Sequence, residues 1–176
     1  IERLITDYSQ MLKDEVALSK EKIKKLDIEP IIKSVVDDFN SIYKLKRGIN
    51  IFYKNDGKNS YLIYGIENRI EQIIANLLDN AISFSDDNKD VIVQVSKSQD
   101  DKVYITILDE GRGFKEKDTN KIFKRFYSNR PDKFGQHSGL GLNIVKNLVD
   151  LHNATIKASN RQDKKGASME LEFPKA

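Results

Sequence analysis

The chain has no cysteine and no tryptophan, and only two histidines and three prolines among its 176 residues. Without cysteine there are no disulfides and no thiolate metal centres. His137 and His152 are too few and too far apart for a zinc site of the usual kind. No apolar run approaches the roughly 20 residues that cross a bilayer, and no secretory leader opens the chain. A surplus of one charge is missing as well, since 30 Lys and Arg against 27 Asp and Glu leave +3. Nucleic-acid binders normally carry a large, clustered basic excess, so nucleic acid is not expected as a partner. What is present is 39% hydrophobic content, enough for a packed core, in a length that suits one α/β domain with a small appendage. The expectation is a domain of a reducing compartment that does not itself enter the membrane. The start at Ile1, without a Met, leaves a membrane-anchored parent open.

Ile1 to Lys25 reads as one helix, with Ile1, Leu4, Tyr8, Met11 and Leu18 at three-and-four spacing. At about 1.5 Å per residue it would span roughly 37 Å. Two readings stand: a helix lying on the domain's own core, or half of a helical bundle whose partner lies elsewhere. The mixed charge past Lys20 favours a helix that leaves the domain. Leu26 to Pro30 is the expected boundary, with Asp27 as N-cap and Glu29-Pro30 in a first helical turn. A helix then runs from about Ile31 to Lys46 and stops at Gly48. Short β runs, Ile49 to Tyr53 and Ser60 to Tyr64, flank a turn cluster at Asn55 to Asn59. Glu67 to Phe84 is a long helix burying Ile70, Ile73, Ile74, Leu77, Leu78, Ala81 and Ile82. Val91 to Ser96 and Lys102 to Leu108 alternate as a hairpin, and Ala154 to Ser159 pairs with Ser168 to Phe173 across Asp163 to Gly166. Between the hairpins, Asn143 to Leu151 has helical periodicity. The predicted architecture is α+β, a two-layer sandwich of a mixed, mostly antiparallel sheet and three helices. Strict β-α-β alternation is absent, so the glycines cannot be read as a dinucleotide fingerprint.

Four groups of residues could carry chemistry. Asn76 and Asn80 stand four apart on the long helix and share a face beside its aliphatic stripe. A buried amide without a partner costs roughly 1–3 kcal/mol, so they either bond to nearby backbone or meet a ligand. An amide carbonyl is a neutral oxygen donor suited to Mg²⁺. Asp109 follows a strand and precedes Gly111 and Gly113, which makes either a plain turn or a carboxylate able to accept from an exocyclic amine such as that of adenine. Gly139 and Gly141 open a helix, where bare amides and the helix dipole suit phosphate oxygens; Gly141 could instead be a packing glycine. The segment from Glu110 to Ser138 is long enough to be a functional cover, with Lys124, Arg125 and Arg130 as its favoured phosphate partners. Ile122, Phe123, Phe126 and Tyr127 form an apolar plug that could anchor it.

In this order the segments resemble the catalytic and ATP-binding domain of sensor histidine kinases, within the gyrase, Hsp90 and MutL type of ATPase. The matching boxes are Asn76 to Ala81, Asp109 to Gly113, Ile122 to Tyr127 and Ser138 to Leu142. The resemblance covers Leu26 to the C-terminus, and residues 1–25 look like the end of the family's dimerisation helix. It implies a domain that binds ATP and Mg²⁺ and passes the γ-phosphoryl group to a histidine on dimerisation helices, for relay to a response regulator. It implies a homodimer in the full-length protein, and a cytoplasmic position in an inner-membrane sensor. Asn80 looks like the Mg²⁺ ligand. Asn76 is similar to the position of a general-base Glu in the gyrase branch; an amide there cannot abstract a proton, which favours transfer over hydrolysis. Asp109 looks like the adenine partner and Phe84 like the aromatic on the base. Gly111, Gly113, Ser138, Gly139, Leu140, Gly141 and Leu142 would shape the pocket and its cover, with Asn76, Lys124, Arg125 and Arg130 in the transfer chemistry. Three positions depart from the pattern: Ser83 where Lys or Arg is frequent, Ser128 where Arg follows the Phe-Tyr pair, and His137 in place of glycine. Neither histidine resembles a phosphoacceptor, so the chain is expected to begin after that helix. A serine kinase of the anti-sigma type, an ATPase on the same fold and a degenerate nucleotide-sensing module are the competing readings.

Overall fold

The computed structural model describes residues 22–115, 119–124 and 141–176. Its elements are β1 (Lys24–Asp27), α1 (Ile28–Arg47), β2 (Asn50–Asn55), β3 (Leu62–Gly65), α2 (Glu67–Phe84), β4 (Asp90–Lys97), β5 (Val103–Leu108), a 3-10 turn (Thr119–Phe123), α3 (Gly141–Leu151), β6 (Thr155–Asn160) and β7 (Ala167–Phe173). Five strands form one sheet in the order β2-β4-β5-β7-β6. Only β2 and β4 run parallel; the remaining neighbours are antiparallel. Strand alternation sends Val91, Val93, Val95, Val103, Ile105, Ile107, Met169, Leu171 and Phe173 inward, where they meet the buried stripes of the helices. The opposite face of the sheet is the more open one, with Phe52 46% exposed.

The helix ends follow local chemistry. Asp27 caps α1 by accepting from Glu29 N–H at 3.1 Å, and Gly48 closes it in the left-handed conformation at φ +66°. Pro30 falls in the first turn, where no intrahelical N–H is lost. The helix begins three residues before the expected Ile31, because Ile28 is fully buried and its N–H donates to Tyr61 O at 3.0 Å. From α1, Asn40 reaches both polar groups of Ile51, accepting from its N–H at 2.8 Å and donating to its carbonyl at 2.9 Å. That pins the outer edge of β2, which would otherwise be free to pair.

One expectation is corrected. The first helix was expected to continue to Lys25, yet Lys24 and Lys25 are extended: β1 pairs antiparallel with β3, Lys24 opposite Gly65 and Leu26 opposite Ile63. Strand pairing satisfies the backbone there, and the rest of that expected helix, residues 1–21, lies outside the described residues. The described parts of the Glu110 to Ser138 cover are tied down, as the expected apolar plug implies. Ile122 and Phe123 sit in the core, and Thr119 Oγ1 donates to Ala158 O at 2.7 Å. Glu110 Oε2 accepts from Asp90 N–H at 2.9 Å, which holds its carboxyl below the ordinary range. Phe126 and Tyr127, the rest of the apolar plug, lie outside the described residues.

Candidate nucleotide site

The end of β5 delivers Asp109 into the interior, where only 4% of it is exposed. Its Oδ1 accepts from Gly111 N–H at 2.9 Å and from Ala167 N–H at 3.0 Å. Both bonds end on the same oxygen, so Oδ2 keeps acceptor capacity for a ligand. Burial raises the Asp109 pKa, against the pull of the two amides and of Arg161. Arg161 donates to the Asp109 carbonyl at 3.1 Å and pairs with Asp163 at 2.7 Å, holding the Asp163 carboxyl down at about 2.

The glycines around Asp109 are needed for close approach rather than for turning alone. A Cβ on Gly111 would stand 2.5 Å from the Phe84 carbonyl, so the first glycine turn rests directly on the end of α2. A Cβ on Gly166, at φ +146°, would stand 2.0 Å from the Asp109 carbonyl. Beyond Gly113, Asn160 clamps the next residue, accepting from Phe114 N–H at 2.6 Å and donating to Phe114 O at 3.0 Å. Phe84 carries the Arg112 guanidinium over its ring, 5.3 Å from the centroid.

On α2, Asn80 is buried at 8% exposure while Asn76, one turn earlier, is partly exposed. Ser83 is also buried, and its hydroxyl donates back to Asp79 O at 2.7 Å, so it does not take the place of a long basic side chain. Lys124 is exposed at the end of the 3-10 turn. Gly141 opens α3, and among the described residues a Cβ there would meet nothing within 4 Å. Leu142 packs against the core, and Asn143 ties the first turn of α3 to the 3-10 turn by donating to Phe123 O at 3.1 Å. The structure thus brings Phe84, Asp109 and Gly111 together, with Gly113 beside them. Asn76 and Asn80 lie on the helix that ends at Phe84, and Gly141 starts the helix packed beside it. Arg125, Arg130, Ser138, Gly139 and Leu140 lie outside the described residues, as do Ser128 and His137.

His152 sits directly after the end of α3. It is buried, its Nδ1 lies 2.7 Å from Leu148 O, and its Nε2 accepts from Ile66 N–H at 3.2 Å. The ring thus bridges the end of α3 to the residue that precedes α2. Asn153 does adopt the left-handed conformation expected of it, at φ +54°. Sequence reasoning missed Arg161 and Asn160, which act on main-chain atoms and leave no spacing signal.

Residues 65–176 match the family described as histidine kinase-, DNA gyrase B-, and HSP90-like ATPase. The sensor protein ChvG of Agrobacterium fabrum is 34% identical over 187 residues, covering 100% of this chain and 31% of that protein. The signal transduction histidine-protein kinase BaeS of Escherichia coli is 30% identical, over 98% of this chain and 36% of its own length. The chain therefore spans about a third of the curated relatives it matches. Its fold is that of the nucleotide-free catalytic domain of histidine kinase ThkA, with a TM-score of 0.76 at 24% identity over 88% of this chain and 97% of that one. ThkA solved in complex with the response regulator TrrA aligns with a TM-score of 0.75 at 23% identity, over 98% of this chain and 48% of that one. No described helix is long and apolar enough to cross a membrane. The chain belongs to the histidine kinase-, DNA gyrase B- and HSP90-like ATPase family.

Proposed function

We propose that this chain is the ATP-binding catalytic domain of a two-component sensor histidine kinase. Its substrate is ATP with Mg²⁺, and its acceptor is a histidine on dimerisation helices, from which a response regulator takes the phosphoryl group. The observation that carries this reading is Asp109, a buried carboxylate whose two main-chain bonds fall on one oxygen. A buried acidic group with a spare acceptor oxygen suits a ligand amine, and adenine offers one. Phe84 and Gly111 border the same spot.

The chain's own residues then divide the work. Asp109 orients the base, and the glycine turn gives a flat ring room beside the main chain. Asn80 would hold Mg²⁺ through a neutral amide oxygen, and that ion, when bound, neutralises phosphate charge. Asn76 has no basic group to activate water, which favours a protein side chain over water as the acceptor. Lys124, Arg125 and Arg130, with the amides from Ser138 to Leu142, supply positive charge and N–H donors for the phosphates. Transfer of this kind rests on positioning and charge neutralisation. The residues ahead of β1 are assigned to the dimerisation region, and β1 onward, paired with β3, to the catalytic unit, as the cytoplasmic part of an inner-membrane homodimeric sensor.

Calorimetric titration with a Mg²⁺-bound ATP analogue tests the site, and incubation with the dimerisation helices of the full-length protein tests the transfer. Mg²⁺-dependent binding and an acid-labile phosphorylated histidine are expected. No binding would overturn the site, and label on serine, or release of free phosphate alone, would overturn the histidine acceptor.

A further inference from the structure

Ser85 caps α2, its N–H and hydroxyl both donating to Ala81 O, but the last turn holds no basic residue. Helix C-termini expose carbonyls and partial negative charge, and a cation normally sits there. Here that cation arrives from another element. Arg47, the last residue of α1, donates from Nη1 to Ile82 O at 2.6 Å and from Nη2 to Ser85 O at 2.5 Å, while its Nε pairs with Asp87 at 2.7 Å. Its side chain is only 10% exposed, whereas that of Asp87 is 64% exposed. The contact is reciprocal, because Asn88 N–H donates to Arg47 O at 3.0 Å. The next residue, Gly48, lies so close to Asn88 that a Cβ would stand 2.2 Å from its Oδ1. The end of α1 and the turn after α2 are therefore interlocked.

The two carbonyls Arg47 holds flank Phe84, and the Phe84 carbonyl is the surface on which Gly111 rests. Gly111 N–H is in turn one of the two donors that fix Asp109 Oδ1. From this chain of contacts we infer that Arg47 is a positioning residue for the adenine end of the site, acting through Phe84 and Gly111 on Asp109. The inference rests on the reading of Asp109 as the base partner. Its consequence is specific to the base. Adenine presents an amine where guanine presents a carbonyl, so a carboxylate held in place accepts from the first and repels the second. If the bed of Asp109 loosens, discrimination falls more than phosphate binding does.

The test uses the whole chain with Arg47→Lys, Arg47→Met and Asp87→Ala, and measures Mg²⁺-ATP and Mg²⁺-GTP affinity by calorimetry beside thermal melting. Lysine keeps the charge but cannot span two carbonyls with a planar fork. Arg47→Lys is expected to weaken ATP binding about five- to tenfold and GTP binding less, so that the ATP-to-GTP ratio narrows. Asp87→Ala removes only an exposed partner and should leave the ratio unchanged. Should Arg47→Met fail to fold, Arg47→Lys decides the matter. A folded Arg47→Lys with the wild-type ratio, even at a lower melting temperature, would mean that Arg47 is structural and overturns this inference alone. Absence of ATP binding in the wild-type chain would overturn the functional reading, and this inference with it.

Discussion

At Asp109 a side chain is placed by main chain: two amides on one carboxylate oxygen, with Gly111 and Gly166 packed where no Cβ fits. At Asn76 and Asn80 the placing is done by helix period, on an α2 whose interior face is filled by Ile73, Ile74, Leu77 and Leu78. The first region tolerates no added atom, because the neighbouring atoms are backbone and cannot turn aside. The second can change its polar residues without moving the helix. Damage at the base end should therefore reach the main chain, whereas damage at the phosphate end should weigh chiefly on the ligand.

The severest break in that comparison is Gly166→Ala. Its Cβ would overlap the Asp109 carbonyl at a φ that L residues rarely adopt, and we expect a loss of about 3 kcal/mol in stability by chemical denaturation. A loss under about 0.5 kcal/mol, typical of unremarkable surface sites, would show that the base end is not rigid. Next comes Asp109. Asp109→Ala should lower ATP affinity about 100-fold by calorimetry, equivalent to about 2.7 kcal/mol. Asp109→Asn should lose comparable affinity while keeping an Oδ1 acceptor for Gly111 and Ala167. Burial raises the folded pKa of Asp109, so ionising it opposes folding: the penalty is absent below the ordinary carboxylate range and grows as pH rises through the raised value. Asp109→Asn is therefore expected to be more stable than wild type at neutral pH, with the gap closing below about pH 4. A gap that does not vary with pH would break that account.

At the other end, Asn80→Ala is expected to lower affinity for Mg²⁺-ATP about tenfold and to leave adenosine binding unchanged. Equal losses for both ligands would erase the division between the two ends. The smallest effect belongs to Gly141→Ala. Among the described residues there is open space around its Cβ position, so alanine should raise stability by up to ~1 kcal/mol through helix propensity while lowering ATP affinity a few-fold. A destabilised variant would restore the packing role for that glycine.

How far the sequence could be read depended on which physical rule set each feature. Glu67–Phe84 was legible to the residue, because an aliphatic stripe of helical period fixes both type and length. Both antiparallel hairpins, β4 with β5 and β6 with β7, were legible from alternation and turn residues. The two-stranded β1–β3 sheet was not. Lys24 and Lys25 carry no strand signal of their own, and only partners distant in the chain, Gly65 opposite Lys24 and Tyr64 opposite Lys25, make them extended. In the site, Asp109, Gly111 and Phe84 were named in advance and do meet in space. Arg47 and Arg161 were not, since each acts on carbonyls whose location depends on the finished fold. For His152 the sequence shows a helix end but not the Ile66 amide facing it.

The parallel pairing of β2 with β4 has a consequence for the order of assembly. β4 and β5 are joined by a short turn, so their ladder can close early, but β2 reaches β4 only after the 56–89 stretch, with β3 and α2, has been brought round. Non-local pairings of that kind form slowly and late. We expect Ile51→Val in β2 to speed unfolding with little change in the folding rate, and Ile105→Val in β5 to slow folding. Stopped-flow kinetics across a denaturant series would reveal the opposite assignment just as plainly. The outermost strand, although pinned by Asn40 in the finished molecule, is then the last to arrive and the first to leave.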